Sequence, residues 1–147
     1  MPSTVETYRN AAKEHLLRAQ ETFDDEHYFL SHYLSGLAVE CHLRAYLRRA
    51  KDQFDSRHDL RDFAKEAKFF EVVPQNRAGD FSVKFSTLNL RWRSNHRYYS
   101  ERQFLDYMTD IRAEFDVKGD RWKNLARTVL NLAYDVINQG EAKWDSK

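Results

Sequence analysis

The stretch that decides the fold is "YFLSHYLSGLAVECHLRAYLRRA", residues 28–50. Its apolar side chains recur every three or four residues, which is the spacing of one face of an amphipathic helix. We expect a helix over residues 26–50 whose inner face carries Leu30, Leu34, Leu37, Cys41 and Ala45.

Gly36 lies in the interior of this expected helix. Glycine there costs about 1 kcal/mol relative to alanine, so its missing side chain must serve a purpose. Ala38 keeps the same region small. We therefore expect another helix to cross closely between Gly36 and Cys41.

A helix on the N-terminal side is expected over residues 4–23, with Ser3 or Thr4 as its cap. Asp24 or Asp25 follows it and is expected to cap the helix over residues 26–50. The spacing of the apolar residues assigns the inner face of the first helix to Val5, Tyr8, Ala12, Leu16, Ala19 and Phe23.

Three more helices are expected on the C-terminal side. One begins at Ser56, and one begins at Ser100, where "SERQ" is a capping box with Gln103 three residues on. The last is capped by Asp120 and ended by Gly140. The segment 81–92 is expected to be irregular or helical. The inner face of the last helix is assigned to Trp122, Leu125, Ala126, Val129, Leu130, Ala133, Val136 and Ile137.

These segments predict an all-α protein, an antiparallel helical bundle of four long helices with one or two short ones. The chain of 147 residues fits a single domain, 1–147, with a core over about 5–137. Its 4 glycines and 2 prolines are few for a β-rich fold with many turns. The lone Cys41 excludes an internal disulfide, there is no apolar run of membrane length, and the first fifteen residues lack the apolar core expected of a signal peptide. We expect a cytoplasmic protein with no membrane partner.

A cationic stretch, "LRWRSNHRYYSERQF", occupies residues 90–104. From Lys84 to Gln103 there are five Lys or Arg residues and one acid, Glu101, although the net charge of the chain is only +1. Residues 91–99 of the stretch come directly before the N-terminus of the helix expected at Ser100. Free amides and the positive end of the helix dipole make such a place suitable for a phosphate group.

The stretch also carries the chemistry to cut RNA. His96 can exchange a proton near neutral pH, and Arg91, Arg93 and Arg97 can hold phosphoryl oxygens. An imidazole beside a guanidinium suffices for ribose-assisted cleavage without a metal. Trp92 is expected to be a core or interface residue rather than a platform for a base. No metal or cofactor is expected, because no zinc motif is formed by the other histidines, His15, His27, His32, His42 and His58.

Three motifs resemble the HEPN superfamily of small α-helical proteins, over residues 5–137. Residues 38–45 are similar to the A-x-E-C-x-L-(K/R)-A segment of its second helix, and "RHDLRDFAKEA", residues 57–67, is similar to its H-x-L-x-x-L segment. The third motif, R-x4-H-x-Y, resembles that of HEPN toxins paired with minimal nucleotidyltransferases. Its residues here are Arg91, His96 and Tyr98.

The resemblance implies a metal-independent endoribonuclease, the toxin half of a toxin–antitoxin pair. Arg91 and His96 would be catalytic, with Arg93, Asn95, Arg97 and Tyr98 supporting them or binding substrate. It also implies a homodimer, and a nucleotidyltransferase antitoxin that adds AMP to Tyr98.

Two alternatives remain open. Trp92, Arg97 and Tyr98 are also similar to the "W…RY" signature of HEPN proteins without a catalytic histidine. The chain would then be a non-catalytic module that binds nucleotide, RNA or a partner protein. In the other alternative, the chain is an unrelated helical protein whose basic stretch is simply solvated.

Overall fold

The structure, a computed structural model, describes residues 4–50 and 121–144, with six single residues between them: Val83, Trp92, Ser100, Arg102, Gln103 and Asp106. This part of the chain forms three long helices and no strand, which confirms the all-α prediction for it. The helices are α1, Val5–Asp24, α2, Tyr28–Ala50, and α3, Arg121–Ala142.

None of the helices in the described residues is both long and apolar enough to cross a membrane. Val83, within the ambiguous segment 81–92, is helical. The helix predicted from Ser56 lies outside the described residues, and so does the predicted cap Asp120.

Helix α1 begins as predicted. Thr4 is its N-cap, and its hydroxyl oxygen accepts a hydrogen bond from the Thr7 amide at 3.1 Å. This contact satisfies one of the amides that have no partner within the helix. The predicted inner face is confirmed. Ala12, Leu16 and Ala19 are buried, and Val5, Tyr8 and Phe23 are partly buried against the core.

The turn between α1 and α2 depends on Glu26, whose φ of 66° is in the left-handed region. The Glu26 amide donates to the Phe23 carbonyl at 3.0 Å, and the His27 amide donates to the Thr22 carbonyl at 2.8 Å. These two bonds are those of a Schellman motif, which ends a helix by reversing the backbone at one left-handed residue.

The prediction that Asp24 or Asp25 caps α2 is wrong. Asp24 is the last residue of α1 and accepts a hydrogen bond from the Gln20 side chain at 3.0 Å. The carbonyl of His27 accepts the first α2 hydrogen bond, from the Ser31 amide at 2.9 Å. Asp24 and Asp25 therefore belong to the C-terminal end of α1. The residue that directly precedes α2 is His27.

Helix α2 is buried on most of its circumference, and the face predicted to be its inner face is the less buried one. Leu30 is 49% exposed, and Leu34 and Leu37 are only partly buried, although Cys41 and Ala45 are buried. The opposite side of α2 is more completely buried. It carries several polar residues, so the spacing of apolar residues in the sequence did not identify it. Ser31, His32, Ser35, Ala38, Val39, His42 and Leu43 are each 0% exposed.

The three helices have defined directions. Arg9 of α1 contacts Glu141 of α3, and Gln20 of α1 accepts from the Tyr134 hydroxyl at 3.0 Å, so α1 and α3 are antiparallel. Tyr46, late in α2, donates to the carbonyl of Gly140, late in α3, so α2 and α3 run parallel. The end of α2 and the start of α3 therefore lie at opposite ends of the bundle.

Helix α3 has the predicted inner face but a different end. The seven described residues of that face, from Leu125 to Ile137, are all buried. The prediction that Gly140 ends the helix is wrong, because α3 continues to Ala142. Gly140 instead makes room for a neighbour, since a Cβ at this position would overlap the His42 imidazole.

The turn gives the first testable prediction. Replacing Glu26 with glycine should raise the free energy of unfolding by up to about 1 kcal/mol, because a left-handed conformation costs a residue with a side chain roughly 1–2 kcal/mol. Glu21→Gly, at an exposed position within α1, is the control and should lower stability by about 1 kcal/mol. Urea unfolding measures both variants, and a stability loss in both would show that Glu26 is not strained.

Candidate functional site

The predicted site residues lie outside the described residues. They are Arg91, Arg93, Asn95, His96, Arg97 and Tyr98. The structure does describe Trp92, within the cationic stretch, and Ser100, where the following helix begins. These two residues show how the stretch is attached to the rest of the protein.

Trp92 is a core residue, as predicted. It is 1% exposed, and its indole stacks on the Tyr33 ring with centroids 6.0 Å apart and an interplanar angle of 30°. The indole N–H donates to the carbonyl oxygen of Tyr33 at 3.1 Å. A buried indole needs such an acceptor for its one polar group. Trp92 therefore packs in the core and is not available as a stacking surface for a base.

Gly36 provides the space that Trp92 occupies. A Cβ on Gly36 would overlap the Trp92 ring, so the indole lies directly against bare helix backbone. The sequence predicted a close approach at Gly36, and this approach is present. The neighbour found at Gly36 is an indole ring, whereas a second helix was expected.

The capping box at Ser100 is confirmed. The Gln103 amide donates to the Ser100 hydroxyl oxygen at 3.2 Å, and the Ser100 amide donates to the Gln103 side-chain oxygen at 2.9 Å. Arg102, Gln103 and Asp106 are helical and exposed. The cationic stretch thus leads directly into a helix N-terminus, the place where anions are favoured.

A second polar cluster, which we call the α3-end cluster, was missed by sequence reasoning. Arg9 binds Glu141 through its Nε and Nη2, with the shortest contact at 2.7 Å, and Lys13 lies 3.2 Å from the same carboxylate. Burial alone would raise the pKa of Glu141, but the hydrogen bonds from Arg9 and Lys13 outweigh it and lower this pKa. The only sequence signal was Gly140 beside an acid at the end of a helical pattern.

Trp144 completes the α3-end cluster from the turn that follows α3. The guanidinium carbons of Arg9 and Arg49 lie 4.7 and 4.0 Å from its ring centroid, within the range of cation–π contacts. The Tyr46 ring meets it edge-on, with centroids 4.9 Å apart. Arg49 also donates to the Trp144 carbonyl. All three helices are joined at this ring.

The α3-end cluster is not suited to proton transfer at neutral pH. His42 is 0% exposed, and burial lowers its pKa from 6.5 to about 4, so it is neutral at pH 7. The Glu141 carboxylate is ionised and engaged by two cations. We therefore assign the cluster to stability.

Cys41 is the one cysteine of the chain, and its thiol is buried. Burial raises the pKa of Cys41 to about 11, with a further contribution from Glu40, so the thiol stays protonated and is a poor nucleophile. Within residues 4–50 and 121–144 and the six single residues, no group of three or more His, Cys, Asp or Glu side chains could hold a metal ion.

Comparisons of the chain with protein-family models, curated proteins and solved structures find no match. Its function is therefore inferred from its own residues. Among these, the cationic stretch beside Trp92 is the candidate functional site.

Acid should destabilise the protein through His42. Its pKa is about 4 in the folded chain and 6.5 as the ordinary value, so the unfolded chain binds more protons between these pH values. The contribution of neutral His42 to the free energy of unfolding is fully present above pH 6.5 and is lost as the pH falls towards 4. The loss is up to about 3 kcal/mol, at about 1.4 kcal/mol per pKa unit. Urea unfolding at pH 7 and pH 5 measures this loss, above the range in which Glu141 titrates.

His42→Gln should remove most of that loss. A smaller part should remain because burial also lowers the pKa of His15. His27→Gln changes an exposed histidine and should keep the full pH dependence. Equal pH dependence in His42→Gln and the unmodified protein would contradict the assignment.

Gly36→Ala should destabilise the protein by about 1–3 kcal/mol, because the added methyl overlaps the Trp92 ring. Helix propensity alone would give the opposite sign, a gain of about 1 kcal/mol. In a Trp92→Leu background the overlap is relieved, and Gly36→Ala should become neutral or stabilising. Urea unfolding of the four proteins tests this reversal. A stabilising Gly36→Ala in the unmodified protein would show that the ring does not lie on Gly36.

Proposed function

We propose that the chain is a metal-independent endoribonuclease of the HEPN type, the toxin half of a toxin–antitoxin pair. It would act as a homodimer of four-long-helix bundles. The observation that carries the proposal is the setting of the cationic stretch. It is attached to the core at Trp92 and enters a capped helix at Ser100, so the protein holds the backbone at both of these residues.

The backbone at Trp92 supports the pairing of Arg91 with His96. Five residues apart on a regular α-helix, these two side chains would point about 140° apart. Trp92 lies between them and is not helical. No unbroken helix therefore runs from Arg91 to His96, and the chain is able to bring both groups to one phosphate.

In the proposed reaction, His96 takes the proton from a ribose 2′-hydroxyl. The 2′-oxygen then attacks the adjacent phosphorus, and the bond from phosphorus to the 5′-oxygen breaks. A protonated imidazole supplies the proton that the leaving 5′-oxygen needs. Arg91 stabilises the negative charge that develops on the phosphoryl oxygens. The products are a cyclic phosphate and a free 5′-hydroxyl.

The other residues of the stretch have supporting roles in the proposal. Arg93 and Arg97 bind neighbouring phosphates of the RNA, since guanidinium groups donate two hydrogen bonds to such oxygens. Asn95 and Tyr98 orient the reacting groups. A nucleotidyltransferase partner would silence the enzyme by adding AMP to Tyr98, because the added phosphodiester and adenine would fill the cleft and neutralise the arginines.

The second candidate function is a non-catalytic HEPN module that binds nucleotide, RNA or a partner protein. The observation that favours it is the burial of Trp92, because Trp92 would be the tryptophan of the "W…RY" signature and is used in the core. In that case His96 has no catalytic role, and Arg97 supplies the binding charge. RNA binding would then survive His96→Ala and be lost in Arg97→Ala.

Cleavage of a mixed RNA pool in EDTA tests the proposal. Purified protein should cut and leave a cyclic phosphate, and His96→Ala should lower the rate by a factor of at least about 10², the usual contribution of a general acid or base. The matched control is His27→Ala, an exposed histidine in the turn before α2, which should cut at the normal rate.

Intact mass must first show that Tyr98 carries no AMP. If unmodified protein then fails to cut, or if His96→Ala cuts as fast as the unmodified protein, the ribonuclease proposal is wrong. RNA binding by His96→Ala and Arg97→Ala then decides whether the chain is a binding module.

A further inference from the structure

The Trp92 indole is held by three independent contacts. Its face lies against the bare backbone of Gly36, it stacks on the Tyr33 ring, and its N–H donates to the Tyr33 carbonyl at 3.1 Å. A flat ring with one polar edge, fixed on its face and at that edge, has a single orientation left. The ring lies against a glycine within a helix, although glycine there costs about 1 kcal/mol relative to alanine.

The contacts of the Trp92 ring also constrain the residues next to it in the sequence. Trp92 is the direct neighbour of Arg91 and Arg93. Consecutive Cα atoms are about 3.8 Å apart across a trans peptide bond, so the place where Trp92 enters the core also sets where these two arginines begin. Tyr33 and Gly36, on α2, thereby determine the position of residues that lie about 60 positions further along the chain.

We propose that Trp92 is a positioning residue. Its indole, held by Tyr33 and Gly36, fixes the backbone at position 92 and so aligns Arg91 with the phosphate that the ribose 2′-oxygen attacks after His96 takes its proton. This inference rests on the proposed ribonuclease function and adds to it the element that orients the site.

The indole N–H is the part of Trp92 that separates positioning from packing. Phenylalanine at this position keeps an aromatic ring between Tyr33 and Gly36 but cannot donate to the Tyr33 carbonyl. The ring can then turn and shift, and the attached backbone moves with it. Misplacement of a reacting group by about 1 Å can cost a factor of roughly 10² in rate.

The test compares Trp92→Phe with Trp144→Phe. Trp144 is 6% exposed and belongs to the α3-end cluster, near Tyr46. Tyr46 lies ten residues after Gly36 on α2, or about 15 Å along the helix. Both variants remove a buried indole, so both should lower stability. Only Trp92→Phe should alter the site.

Steady-state RNA cleavage is measured at a temperature where urea titration shows each variant to be folded. For Trp92→Phe we expect kcat to fall about tenfold with KM nearly unchanged, since Arg91 acts mainly on the charge that develops in the transition state. Trp144→Phe should keep kcat. In parallel, hydrogen exchange of the peptide containing residues 93–99 should become faster in Trp92→Phe and stay unchanged in Trp144→Phe.

The two readouts distinguish failure of this inference from failure of the proposed function. If the unmodified protein cuts RNA and Trp92→Phe has the same kcat and the same exchange rate of 93–99 as the unmodified protein, Trp92 serves packing only and the inference is wrong. If exchange becomes faster in Trp92→Phe but the unmodified protein does not cut, the ribonuclease proposal fails while the anchoring of the stretch stands.

A second substitution covers the case in which Trp92→Phe does not fold. β-(3-Benzothienyl)alanine at position 92 keeps the shape of the indole and replaces only its N–H by sulfur, which cannot donate. It should reproduce the expected loss of kcat and the faster exchange of 93–99. Unchanged values for both would overturn the inference.

Discussion

The burial of α2 on most of its circumference is the constraint on which the described fold depends. A helix in this position can bury no polar group without a partner, because each unpaired buried group costs about 1–3 kcal/mol. Ser31 meets this demand by donating to the Ala19 carbonyl of α1 at 2.7 Å, and Tyr46 meets it by donating to the Gly140 carbonyl of α3. The polar residues of α2 thus tie it to both neighbouring helices.

Two glycines allow rings to approach the helix backbones, and they do so on opposite helices. Gly36 of α2 accepts the ring of Trp92, and Gly140 of α3 accepts the ring of His42 from α2. At Gly140, the neutral imidazole of His42 packs against α3 beside the charged residues of the α3-end cluster. The contact at Gly36 holds one residue of the cationic stretch. The same kind of contact therefore occurs in the α3-end cluster and at Trp92, within the cationic stretch.

Sequence reasoning succeeded where the determining interactions are local. The inner faces of α1 and α3 and the capping box at Ser100 each follow from residues within a few positions of one another. It failed for the rotation of α2, because buried serines and histidines look polar in a sequence. It also failed at Glu26, since a left-handed residue other than glycine leaves no compositional signal. The burial of Trp92 was predictable, but its acceptor Tyr33 is 59 residues away in sequence.

The burial of Trp92 also bears on where the charges beside it are found. Placing an unpaired guanidinium in the core costs several kcal/mol, so the sequence predicts that Arg91 and Arg93, on either side of the buried indole, remain in contact with solvent. A phosphate-binding arginine needs access to solvent and a precise position at once. An apolar neighbour locked in the core supplies the position without taking the charge out of water. In the proposed function, a buried tryptophan next to Arg91 is compatible with catalysis, because it would hold the backbone beside Arg91 and leave the charge in solvent.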